Sequence, residues 1–116
     1  MEQSELRFDL TPGPTAPATA RSLLSQLPDL DLAALDRLKT VVSSLVTRSM
    51  REGGGSPIGV RIDRNSKTMG GRVSVPDGWE GLSATARDHP ERLAVLRALT
   101  RSWGIQGRAV WFVLAI

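Results

Sequence analysis

Few of the 116 residues are of types and spacings that do chemistry. There is no cysteine, which removes thiolate nucleophiles, thiolate metal sites and disulfides together. The single histidine, His89, excludes a two-histidine metal site within the chain. His89 stands beside Asp88, where a dyad could be drawn, but no nucleophile is marked near it, and a surface histidine at a helix start is the plainer reading. Asp77 precedes Gly78 in the manner of a turn aspartate. Gly53-Gly54-Gly55-Ser56-Pro57 has the glycines of a phosphate loop, yet it lacks the lysine and the following Ser/Thr and leads into a strand pattern, so it reads as a helix stop and connector. Trp79 is a large apolar side chain in an expected loop between Gly78 and Glu80. It either fills a pocket or stands exposed as an interface anchor, with filling ahead. Arg97 and Arg101 lie one helical turn apart and are expected to share a face, either solvated or turned to an acidic partner.

The element that must position most of these groups is the stretch Leu32 to Glu52. Leu32, Leu35, Leu38, Val42, Leu45, Val46 and Ser49 recur at steps of three and four, which places one apolar stripe on a helix. Asp29 or Asp31 can cap its start, and the glycine run at 53–55 ends it. Before it, Leu6, Phe8 and Leu10 alternate with charged residues as a half-buried strand. Thr11-Pro12-Gly13-Pro14 forces a turn, and Thr15 can cap a short helix running through Leu27. After it, Ile58, Val60 and Ile62 alternate as a second strand, and Arg72 to Val75 make a third, joined in a hairpin by Arg64-Asn65-Ser66-Lys67. Residues 76–87 show no clear period and read as a loop.

Asp88 with Glu91 suggests a capping box for a helix whose inner face is Leu93, Leu96, Leu99 and Trp103, ended by Gly104. The run from Arg108 to Ile116 is apolar on both faces, as a central strand would be. The order β-α-α-β-β-α-β predicts an α+β two-layer sandwich: about four mostly antiparallel strands with three helices on one face, as a single domain over 1–116. Leu38, Val42, Leu45, Leu96, Leu99, Trp103, Trp111 and Val113 are its expected core.

Composition bounds the function. The hydrophobic fraction of 41% and charged fraction of 23% are ordinary for a folded domain. No apolar run approaches the ~20 residues of a membrane span, and the acidic start lacks the pattern of a signal peptide. A cytoplasmic protein without membrane contact is the expectation. Residues 1–47 hold four basic and six acidic side chains, net −2, while residues 48–116 hold eleven and six, net +5. A basic half suits nucleic acid or an acidic protein, but no aromatic-interleaved basic run appears, so a solvated arginine-rich face is the plainer reading and nucleic acid ranks low.

The element order, with SSLVTRSMREGG closing the second helix, resembles the Bergerat-fold, histidine-kinase-like ATPases, and within them the actinobacterial anti-sigma-factor serine kinases. That family's second helix reads E-L-V-T-N-A-hydrophobic-R-H-G, which Leu45-Val46-Thr47, Arg51 and Gly53 match. RVSVPDGWEGL is similar to the strand and acidic motif that hold adenine. LRALTRSWGIQGRAVWFVLAI is similar to the family's last helix and strand, with Trp103-Gly104 and Val110-Trp111-Phe112 as its most distinctive residues. The resemblance spans nearly the whole chain.

The departures bear on chemistry. The family's catalytic glutamate falls on Ser44, which at its free pKa cannot act as a general base. Its magnesium-binding asparagine falls on Arg48, a cation with donors only. The helix histidine falls on Glu52, the middle glycine of the acidic motif on Trp79, and the threonine of the last strand on Ala109. The glycine-rich opening of the third helix is replaced by Glu91-Arg92-Leu93-Ala94. The segment between Gly81 and Glu91, where a nucleotide lid would lie, is short. Asp77 and Gly81 are kept and could still meet adenine, so the resemblance leaves a vestigial cofactor site there.

These losses imply a non-catalytic regulatory module. It would need no metal or cofactor, beyond weak ATP binding by arginine charge, and would have no catalytic residues. Its partner would be a sigma factor or a STAS-type antagonist, with Arg48, Trp79, Arg97 and Arg101 as candidate contacts and a homodimer left open. A residual ATP-binding serine kinase is the alternative, and a nucleic-acid binder comes third.

Overall fold

The computed structural model describes residues 4–115 apart from 29, 53–55, 66–67 and 76–78. The chain forms β1 (Ser4–Leu10), α1 (Ala16–Leu24), α2 (Leu32–Glu52), β2 (Ile58–Arg64), β3 (Met69–Ser74) and α3 (Glu80–Asp88). A 3-10 turn over Pro90–Leu93 then leads into α4 (Ala94–Leu99), β4 (Thr100–Gln106) and β5 (Ala109–Leu114). The fold is α+β, and its sheet has five strands in the order β1-β2-β3-β5-β4, every neighbouring pair antiparallel.

The organising helix has the bounds its periodicity predicts. Asp31 accepts a hydrogen bond from the Ala34 backbone N–H at 2.8 Å and so caps the start. Ala34, Leu38, Val41, Val42, Leu45, Val46 and Ser49 are buried, but Leu32, expected on the apolar stripe, is 78% exposed. At α1 the Thr15 side chain makes no capping bond; Pro17 at the helix start leaves one fewer N–H to satisfy.

Two stretches depart from the sequence expectation. Residues 80–88 are helical rather than a loop. Trp79 and Leu82 are buried and Ala86 packs beside them, a one-sided pattern too short to register as a period. Asp88 therefore closes α3 instead of capping the next helix, and His89 and Glu91 are exposed with their side chains 3.4 Å apart.

The second departure is the fifth strand. The helix expected to run to Trp103 stops at Leu99, and Thr100 is already extended. The Thr100 hydroxyl donates to the Leu96 carbonyl at 2.5 Å, and the Ala115 N–H donates to the Leu99 carbonyl at 3.1 Å, so carbonyls freed by the early stop are satisfied. Trp103 and Ile105 then pack against the core from a strand. The hairpin to β5 turns on Gly107-Arg108, with Gly107 at φ 61°, a left-handed conformation that favours glycine.

The core lies between the helices and one face of the sheet. Val60, Ile62, Val73, Val110, Phe112 and Leu114 enter it with Leu38, Val42, Leu45 and Leu96, and Leu99 and Trp103 flank it half-buried. Trp111 and Val113, expected in the core, are only half-buried and stand on the opposite, uncovered face, because alternate residues of a strand point to opposite sides. Helices α2 and α4 pack beside each other, as do α1 and α2.

Candidate functional site

Helix α2 presents its polar side along a shallow groove shared with α1. The groove encloses about 360 Å³ and is lined by Arg21, Thr40, Ser43, Ser44, Thr47, Arg48 and Arg51. Ser44 and Arg48 come together because residues four apart share a helix face. Arg21 comes from the last turn of α1 and Arg51 from the last turn of α2, where a cation suits the negative end of the helix dipole.

The chemistry open to this groove follows from its donors. Thr40 Oγ1 donates to the Asp36 carbonyl at 2.8 Å and Ser43 Oγ donates to the Thr40 carbonyl at 3.3 Å, so both hydroxyls are turned into helix carbonyls. Among the described residues no carboxylate lines the groove. Its three guanidiniums suit an anionic surface, and its hydroxyls supply no base of a pKa near neutrality.

The other residues singled out in the sequence are dispersed. Trp79 is 1% exposed, and its indole Nε1–H donates to the Val73 carbonyl at 3.1 Å. It is a core residue pinned to β3, which removes it as a surface anchor. Gly81 is exposed in the first turn of α3, where its carbonyl accepts from Thr85 Oγ1 at 2.9 Å. Asp77 lies outside the described residues. Glu52 is the last residue of α2, and Ala109 opens β5 opposite Ser74 and Gln106.

Arg97 is exposed on α4, whereas Arg101 is exposed at the register shift of β4 between Thr100 and Ser102. The shared helical face expected of that pair does not exist, since the helix ends between them. What sequence reasoning missed is Arg21. The short α1–α2 connection makes the two helices neighbours, and that closeness was the signal available to pair Arg21 with Arg48 and Arg51. Among the described residues no helix is long and apolar enough to cross a membrane. Compared with known proteins, the chain matches no family model and no curated relative.

Proposed function

We propose that the protein is a non-catalytic interaction module that grips an acidic protein surface through the groove between α1 and α2, in the manner of an anti-sigma factor that has lost its ATP chemistry. The observation that carries this reading is the groove's lining of Arg21, Arg48 and Arg51, without a carboxylate among the described residues. Phosphotransfer needs a base, and the groove's arginines and hydroxyls supply none; nor does it offer a carboxylate or carboxamide oxygen, among the described residues, to hold a magnesium-bridged triphosphate. An acidic partner needs only donors and charge, which three guanidiniums provide with fork geometry.

The resemblance of SSLVTRSMREGG and of the Trp103-Gly104 and Val110-Trp111-Phe112 stretches to the anti-sigma-factor serine kinases supports the class of partner: a sigma factor or a STAS-type antagonist. The opening strand, two helices and hairpin follow the order of that family, whereas Trp103-Gly104, similar to the end of its last helix, lie on β4. Calorimetric titration of the purified chain against candidate sigma factors and STAS proteins tests the reading. Binding to one of them is expected, weakened by about tenfold or more in Arg48→Glu, as befits a desolvated charge pair at an interface. Binding indifferent to Arg21→Glu, Arg48→Glu and Arg51→Glu would remove the groove from the account.

A further inference from the structure

The uncovered face of the sheet carries an ordered row of side chains. Arg7 of β1 stands opposite Arg61 of β2, Arg61 opposite Arg72 of β3, Arg72 opposite Trp111 of β5, and Trp111 opposite Gly104 of β4. Like charges directly opposite each other across strands repel, so three guanidiniums in line need counter-charge. Glu5 bonds Arg7 and lies 3.3 Å from Arg61, which also meets Asp63 at 3.2 Å. Arg72 is exposed and makes no salt bridge among the described residues. Its guanidinium is open to solvent and accessible to an anion from outside.

Beside it, the Trp111 indole lies broadside over Gly104. A Cβ placed on that glycine would stand 2.8–2.9 Å from Cζ2, Cε2 and Nε1 of the ring together, so one face of the indole rests on the β4 backbone. The ring is only half-buried and lines an open depression of about 660 Å³ that takes in Arg61, Arg64 and Arg72 together with the carboxylates Glu5 and Asp63. Gly70, between Asp63 and Val113 in the next row, leaves the floor of that depression without a side chain.

We propose that this face binds single-stranded nucleic acid, with phosphates along Arg7, Arg61 and Arg72 and a base stacked on Trp111. Four neighbouring strands at about 4.8 Å spacing put some 14 Å between the first arginine and the indole, the reach of a few nucleotides. An aromatic platform beside a cationic track on a sheet surface suits unpaired bases, whose π faces are open, whereas a duplex hides them and needs an element projecting into a groove. An acidic peptide would use the guanidiniums and leave the indole face idle. A second copy docked about a two-fold axis through the row would set arginines against arginines. This inference uses a different face from the α1–α2 groove and stands independently of it.

The test is fluorescence anisotropy of the full chain with labelled oligouridylate and oligothymidylate of about ten nucleotides. Saturable binding is expected, with an affinity falling as salt rises on a log–log slope between about −0.7, for a phosphate at Arg72 alone, and about −2, where Arg7 and Arg61 exchange Glu5 and Asp63 for phosphate. Arg72→Glu, an exposed change that leaves the core intact, and Trp111→Leu, checked for folding by circular dichroism, should each weaken binding by about tenfold, and so should an abasic oligomer of equal length. Several results would overturn the proposal: no binding of either oligomer, equal binding by Arg72→Glu, equal affinity for the abasic strand, or displacement of the oligomer by polyglutamate without any dependence on Trp111.

Discussion

On β2, Val60 and Ile62 enter the helix-covered layer while Arg61 between them stands on the open face; on β5, Phe112 goes in and Trp111 and Val113 come out. The two faces of the sheet are thus written in alternate letters of the same strands and carry different work. The covered face buries aliphatic and aromatic side chains against α1, α2, α3 and α4, and burial of this kind is the main favourable contribution to folding. The open face places charge and a flat indole at its positions, which add little to stability. Substitutions should therefore separate cleanly: those on one face change stability, those on the other change binding.

The largest expected effect lies on the covered face. Leu45→Ala removes a buried side chain from α2 and should cost about 2–5 kcal/mol in urea unfolding, with the slope of the transition unchanged. A loss below about 0.5 kcal/mol would show that the α2 stripe does not hold the layers together. Next comes a pair of glycines on β2 and β3 that sharpens the contrast between the faces. A Cβ at Gly71 would come within 2.7 Å of Ile62 Cδ1, 2.8 Å of the Arg61 carbonyl oxygen and 2.9 Å of Phe112 Cζ, all of it packed core and backbone. Gly71→Ala should cost about 1–3 kcal/mol by overpacking. At Gly59, on the open face, the nearest atom would be Asp9 Oδ1 at an ordinary 3.5 Å, so Gly59→Ala should leave stability nearly unchanged or raise it. Equal losses at both sites, measured by thermal melting, would erase the distinction. The smallest effect belongs to Arg61→Ala: its ion pairs with Glu5 and Asp63 are solvent-exposed and should contribute about 0–1 kcal/mol.

The long helix and most strands were legible because each has one simple period. Leu32 to Glu52 keeps steps of three and four for its whole length, and 58–62 alternates without interruption. The segment after Pro90 failed for a physical reason: Leu93, Leu96, Leu99 and Trp103 fit a helical period, while Trp103 and Ile105 equally fit the alternation of a strand. Thr100, whose hydroxyl takes the Leu96 carbonyl, decides between them, and the Gly107-Arg108 turn marks the hairpin that follows. The helix at 80–88 is held by Trp79 and Leu82 reaching the core, a tertiary cause that propensity does not record.

The candidate sites divide in the same way. The spacing of Ser44 and Arg48 puts them together on α2, whereas the same spacing of Arg97 and Arg101 predicts a shared helical face that the end of α4 at Leu99 removes. The open-face row escaped the sequence altogether. Its members stand at positions 7, 61, 72 and 111, and only the antiparallel register of four strands brings them into line. A basic run interleaved with aromatics along the chain is absent; across the strands three arginines lead to a single tryptophan.

Whether the α1–α2 groove binds a protein without phosphotransfer is decided by incubating the purified chain with labelled ATP, magnesium and candidate antagonist proteins. Complex formation with a partner is expected with no label on it, and no label after Arg48→Asn either, since one restored metal ligand leaves Ser44 in place of a base. Phosphoserine on any of those proteins, abolished by Asp77→Ala, would contradict that expectation.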